Sequence, residues 1–215
     1  MVLTLHGHPM STCTQRVAVI LKEKNVPFKF VVVDFEKGEH KSPSFVSIQP
    51  FGQVPYIDDD GFKLYESRAI GRYIAVKYAS QGAKLLPDVA DLQKWALFEQ
   101  AASIELTNFE PSAHGLAWEI IFKNLFSNLE TDTKAVENHK QTLAAKLDAY
   151  EVILSKSKYL AGDEITLADL FHLPYGDMFG AFGVDFLKSD KRPNVARWWK
   201  DISSRPSWES VKNGI

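Results

Sequence analysis

The sequence predicts an α/β domain over residues 1–80 followed by an all-α domain over residues 89–215, and three observations carry that prediction. Up to residue 80, short β-branched or apolar runs alternate with stretches of helical spacing. From residue 89 onward only helical spacing appears. Between the two, residues 81–88 (QGAKLLPD) mark a change of composition that reads as a linker.

Taken in order, residues 2–6 (VLTLH) read as a first strand, broken by Gly7, His8 and Pro9. Ser11 is placed to cap a helix whose buried face is supplied by Val17, Ala18, Ile20 and Leu21, before NVP at 25–27 ends it. Residues 28–35 (FKFVVVDF) are the most strand-like in the chain, and their continuous apolar centre predicts a strand covered on both faces. Strand, helix, strand implies a parallel pair joined by a right-handed crossover. A polar connector, EKGEHKSPSFVSIQP, leads into two short strands at 54–57 and 62–65, joined by an acidic turn ending in Gly61. A helix then starts at Ser67 and runs to about Tyr78. The order βαβ, then ββα, is that of a thioredoxin-like domain: a four-stranded mixed sheet with helices packed on it. Beyond the linker, residues 92–109, 115–129, 134–155, 167–179 and 194–204 repeat apolar residues at spacings of three and four. Thr166 and Asp169 form a capping box at the head of the fourth of these.

Composition excludes several classes of function. With a formal net charge of −2, a pI near 6.3 and no basic run, the chain offers no electrostatic footprint for nucleic acid or a membrane surface. Its apolar stretches are too short to span a bilayer, and its first residues (MVLTLHGHP) lack a signal-peptide pattern, so a cytoplasmic location is expected. The single cysteine, Cys13, rules out an internal disulfide or a Cys-rich zinc site. His114, His139 and His172 are isolated and His6 and His8 sit at a strand end, so no metal site is expected.

Two details of the hairpin point to a ligand. Pro55 cannot donate a ladder hydrogen bond, so Val54 must lie on a sheet edge or precede a cis bond, and a cis bond would leave its main chain free to pair with an extended peptide. At Glu66 and Ser67 a helix N-terminus favours a carboxylate, while the Glu66 side chain suits an ammonium. Together these fit a small peptide carrying both groups at one end.

At this point the chain resembles the cytosolic glutathione transferases, and most closely their phi class of plants and fungi. The resemblance is carried by GHPMST at 7–12, GEHK at 38–41, QPFGQVP at 49–55 and ESRAI at 66–70, and it continues in YLAGDEITLAD at 159–169. It implies an enzyme that conjugates glutathione, a co-substrate and not a bound cofactor, to hydrophobic electrophiles, with peroxide reduction as a possible second activity of the same thiolate. It also implies a homodimer.

The chemical task is to have thiolate at neutral pH, when a free thiol of pKa about 8.5 is only a few per cent ionised at pH 7. Lowering that pKa by about two units takes roughly 2.7 kcal/mol. A hydroxyl hydrogen bond to the sulfur anion contributes about 1.5–3 kcal/mol and a helix N-terminus about 0.3–1 more, so no separate base is required. The resemblance places that hydroxyl on Ser11, with Thr12 the nearest competitor. On the residues alone, Ser11 reads first as an N-cap. Cys13 lies about 200° round the helix from Ser11 and reads as a bystander.

By resemblance, His40 and Lys41 meet the glycine carboxylate of glutathione with Gln53 assisting, Val54 pairs with the cysteinyl unit, and Glu66 and Ser67 hold the γ-glutamyl end. Without it, GEHK reads equally as a solvated turn. Met10, Phe35, Trp118, Phe122 and Met178 are the candidates for an apolar electrophile pocket, although such residues at helical spacing are more often plain core. Two other functions fit the same features: a carrier that holds glutathione or an apolar ligand without turnover, and the transferase-like domain of an elongation-factor gamma subunit. The latter normally continues into a longer chain than one stopping at Ile215.

Overall fold

The computed structural model describes residues 2–215. The chain forms two compact units, Met1–Leu86 together with Arg205–Ile215, and Pro87–Ser204.

In the first unit the chain runs β1 (Leu3–Gly7), α1 (Thr12–Glu23), β2 (Phe28–Val32), a 3-10 turn (Glu39–Lys41), α2 (Pro43–Val46), β3 (Tyr56–Asp59), β4 (Phe62–Tyr65) and α3 (Ser67–Lys77). The sheet order is β2-β1-β3-β4, with β1 and β2 parallel and the other pairs antiparallel. This is the mixed sheet that the element order predicts. In β1 the alternation is strict: Leu3, Leu5 and Gly7 are buried, Thr4 and His6 less so. At Gly7 an added Cβ would lie 2.5 Å from Thr14, so the absence of a side chain lets α1 pack down on the strand.

Two local expectations are corrected. Residues 28–35 do not form a strand covered on both faces: β2 stops at Val32 and is an edge strand, with Lys29 and Val32 exposed. Pro55 lies before β3 and not inside it; the Val54–Pro55 bond is cis and the ladder begins at Tyr56. The hairpin turn is Asp60-Gly61, both at positive φ (56° and 89°), the left-handed pair that matches the twist of the flanking strands.

The second unit is helical, as predicted: α4 (Leu92–Ile104), α5 (Glu110–Ala117), α6 (Lys123–Ser127), α7 (Thr133–Leu154), α8 (Leu167–Leu170), α9 (Leu173–Asp177) and α10 (Pro193–Ser203). The break expected between residues 109 and 115 is absent: a π-turn, Glu105–Phe109, leads directly into α5, and a second π-turn, Trp118–Phe122, joins α5 to α6. The first of these ends two residues before Pro111, whose missing N–H and ring would interrupt a regular α ladder, and the wider turn absorbs the fault. Thr166 and Asp169 make the predicted capping box at α8. No helix among the described residues is long and apolar enough to cross a membrane.

The C-terminal segment departs from the expected 89–215 domain, because residues 205–215 belong to the first unit. The Arg205 guanidinium grips the buried Glu23 carboxylate at 2.6 and 2.7 Å, and Ser207 Oγ donates to the same group. Burial pushes the Glu23 carboxyl up, but these hydrogen bonds and the Arg205 charge outweigh it and hold the group below its ordinary value. Trp208, on the short α11 (Pro206–Glu209), and Val211 are buried, and the Gln15 carboxamide on α1 donates to Lys212 O at 3.1 Å. A buried carboxylate with a bidentate partner and a buried indole explain why this end returns to α1.

Candidate active site

Ser11 is the N-cap of α1. Its Oγ accepts from Thr14 N at 3.3 Å, and its own N–H donates to His8 O at 3.0 Å. A hydroxyl used as an acceptor by the cap keeps its proton for another partner, and no acceptor for it occurs among the described residues. The cap geometry therefore leaves one polarised O–H at a positive helix end, half-exposed, which is what an anionic sulfur requires. Thr12, the competitor, is buried in the first turn.

The connector brings His40 and Lys41 to the loop before β3. Gly38 at φ 66° turns the chain into the 3-10 segment. Lys41 Nζ donates to Gly52 O at 2.9 Å and to Phe51 O at 3.3 Å. Gly52 has φ 61°, and a Cβ there would fall 2.8 Å from Lys41 Nζ and 2.9 Å from His40 O, so only glycine permits this approach. The buried Gln49 takes the Gln53 N–H on its Oε1 at 3.0 Å, pinning the same loop, while the Gln53 side chain is exposed. His40 lies tilted on Phe35 with ring centroids 4.6 Å apart, and its Nδ1 is buried with no partner among the described residues. Burial, and then the Lys41 charge, hold its pKa below the ordinary 6.5. Val54 packs its side chain against Val33, Phe45 and Tyr56, and its main chain takes no part in the ladder.

At the head of α3, Glu66 occupies the N-cap position at φ 69° and ψ 105° without a side-chain cap bond, and its carboxylate is exposed. A non-glycine residue in that region costs on the order of 1–3 kcal/mol and is typical of ligand clamps. Ser67 follows, buried, with its Oγ accepting from Arg16 NH1 at 3.0 Å. The same nitrogen lies 3.4 Å from Cys13 Sγ, so the half-buried cysteine turns toward α3.

The electrophile candidates divide between the two units. Met10 is 58% exposed beside Ser11, and its N–H donates to His8 Nδ1 at 3.3 Å; Phe35 stacks on His8 with centroids 4.9 Å apart. Trp118 and Phe122 lie on the second π-turn, Trp118 exposed and Phe122 tilted against Phe126, and Met178 opens the 3-10 turn Met178–Gly180. A cavity of about 320 Å³ in the helical unit, floored by Phe179, Val184, Leu187 and Trp199, contains none of the candidate site residues. Three features escaped sequence reasoning: the Glu66 backbone, the Arg16 link and the Gln49 clamp. Only Arg16 left a trace, as a lone charge opening an apolar helical run.

A four-stranded mixed sheet of order β2-β1-β3-β4, with α1 capped by Ser11 and α3 beginning at Ser67, defines a thioredoxin-like domain, and a helical unit follows it in the chain. Residues 1–76 match the glutathione S-transferase N-terminal domain and residues 109–206 the glutathione S-transferase C-terminal domain. Glutathione S-transferase PM239X14 of Arabidopsis thaliana is 48% identical over 197 residues, covering 91% of this chain and 88% of that protein. Among solved structures, glutathione transferase F7 from Populus trichocarpa superposes with a TM-score of 0.90 at 39% identity, covering 99% of this chain and 98% of that one. Glutathione S-transferase I from mais, in complex with an atrazine glutathione conjugate, does so with a TM-score of 0.87 at 31% identity, covering 99% and 97%. The chain belongs to the glutathione S-transferase family, in its phi class.

Proposed function

We propose that the protein holds glutathione along the first unit and transfers its sulfur to small hydrophobic electrophiles, with Ser11 stabilising the thiolate. The observation that carries this reading is the Ser11 hydroxyl, whose oxygen accepts the helix-cap bond and whose proton has no acceptor among the described residues. The γ-glutamyl end lies against Glu66 and Ser67, the cysteinyl unit against the Val54 main chain, and the glycine carboxylate beside His40 and Lys41, with Gln53 assisting. Met10 and Phe35, grouped around His8, are the first unit's apolar contacts for the electrophile. The thiolate attacks an electrophilic carbon, the new C–S bond forms, and the leaving group departs with its electron pair. With an organic hydroperoxide, two glutathione molecules give the disulfide, the alcohol and water. The mais relative's complex with an atrazine glutathione conjugate supports an aryl-type electrophile.

Turnover of a model aryl halide and of an organic hydroperoxide by purified protein tests this reading; tight glutathione binding without turnover of either substrate would favour the carrier function instead. We further infer a cytoplasmic homodimer. Phe51, an aromatic 64% exposed on the loop gripped by Lys41, is a natural anchor for a second copy. Light scattering showing a single-chain mass would overturn that inference.

Placing a carboxylate beside His40 has a pH consequence. The free imidazole is held below 6.5 by burial and by Lys41, whereas a bound carboxylate favours imidazolium, so binding raises its pKa and takes up protons. Affinity for S-methylglutathione, which has no thiol to titrate, should therefore rise about fivefold as pH falls from about 7.5 to about 5.5. Calorimetry on wild type and His40→Gln checks this, with a flat profile expected for the variant. A slope that persists in His40→Gln would remove the glycine carboxylate from this residue.

A further inference from the structure

We propose that Arg16 is a positioning residue for the α-carboxylate at the γ-glutamyl end of glutathione, acting through the Ser67 hydroxyl. The inference rests on the placement of that end at Ser67. Arg16 lies on α1 with no exposed surface, and its NH1 donates to Ser67 Oγ at 3.0 Å across to the first residue of α3. A guanidinium has five donors, no acceptor and no neutral form in a protein, so the direction of this hydrogen bond is fixed. Ser67 Oγ must accept from Arg16, and its own proton is thereby turned away from the guanidinium.

Three consequences follow at one position. The Ser67 O–H is obliged to act as a donor, which selects an acceptor-only partner such as a carboxylate. Donation from a cation behind it polarises the hydroxyl and strengthens its outgoing bond. And the hydroxyl so oriented sits at the α3 N-terminus, which itself favours an anion and whose N-cap residue, Glu66, supplies no side-chain acceptor to the first turn. Arg16 is too deeply buried to touch the ligand, and the Ser67 hydroxyl is the group through which it reaches the site in this proposal. NH1 also approaches Cys13 Sγ at 3.4 Å, a weak contact that leaves the Ser67 bond the shorter of the two.

The test compares glutathione with γ-aminobutyryl-cysteinyl-glycine, which lacks only the α-carboxylate, on wild type, Arg16→Lys, Ser67→Ala and the double variant. Dissociation constants are read by calorimetry. Arg16→Lys is expected to weaken glutathione about tenfold, to change the analogue by less than about twofold, and to add nothing in the Ser67→Ala background. Equal losses for both ligands, or additive losses in the double variant, would overturn the proposal by showing a general structural effect. If Ser67→Ala leaves glutathione affinity unchanged, it is the placement of the γ-glutamyl end that fails. Should Arg16→Lys not fold, the wild-type protein labelled with nitrogen-15 still decides: the Arg16 guanidinium resonances should move on adding glutathione and stay in place on adding the analogue. Equal movement with both ligands would again overturn it.

Discussion

Ser11→Ala should raise the pKa of enzyme-bound glutathione by about one to two units, because the lost O–H···S⁻ bond is a charge-assisted one contributing about 1.5–3 kcal/mol. Turnover at neutral pH should fall about three- to twenty-fivefold, since moving the bound thiol from about 6.5 to about 7.5–8.5 leaves roughly a quarter to a few per cent of it as thiolate at pH 7. Affinity for glutathione should change little, because the expected grip is spread over the carboxylate contacts and the main chain of Val54. The cap is lost as well, at about 1 kcal/mol of stability, so the comparison belongs at a temperature well below the melting transition. Thiolate absorbance followed against pH on the bound complex measures the first effect directly. Thr12→Ala is the control: buried in the first turn, it should leave the titration where wild type has it. If Thr12→Ala shifts the curve and Ser11→Ala does not, the roles are reversed. If neither does, the sulfur is held elsewhere.

The parts of the fold that could be read in the sequence are those fixed by local chemistry. Asp60-Gly61 announces its hairpin because few other residue pairs accept positive φ twice, and Ser11 announces α1 because its hydroxyl satisfies a backbone donor. Residues set by tertiary surroundings are another matter. The run FKFVVVDF has the composition of a central strand, yet it lies at the sheet edge, because pairing partners and not composition decide which strand is outermost. The π-turns leave apolar spacing almost unchanged, so 105–109 and 118–122 look like ordinary helix. Residues 205–215 return to α1 through Glu23 and a buried Trp208, a pairing across more than 180 residues that has no local sign. The site followed the same division. Ser11, His40, Lys41, Val54 and Ser67 sit in short motifs. The Glu66 backbone, the Gln49 clamp on Gln53 and the Arg16 relay behind Ser67 exist only once α1, α3 and the loop before β3 are assembled.

Asp169 illustrates both sides of that division and carries the largest expected effect on stability. The capping box with Thr166 is a sequence-local feature, but the carboxylate does more than cap. Its Oδ2 accepts from Thr166 N at 2.9 Å and Thr166 Oγ1 at 3.0 Å, while Oδ1 accepts from Leu160 N at 3.0 Å and from Trp198 Nε1 at 2.9 Å. One fully buried side chain thus ties the start of α8 to the preceding loop and to α10. Asp169→Ala leaves three buried N–H donors without acceptors, each costing about 1–3 kcal/mol before relaxation, and removes the cap. Allowing for partial repacking, the expected loss is about 4 kcal/mol, near the upper end for single substitutions. For a unit of this size that corresponds to a melting temperature lower by roughly 10–15 °C. Asp169→Asn keeps the shape but turns an NH₂ toward one pair of donors, so about half of the loss should remain. Calorimetric melting of the three proteins checks the order wild type, Asn, Ala. Glutathione affinity measured well below each transition should stay close to wild type, because the candidate glutathione contacts all lie in the other unit. An alanine variant that melts within a few degrees of wild type would mean that the buried donors find other acceptors once the carboxylate is gone.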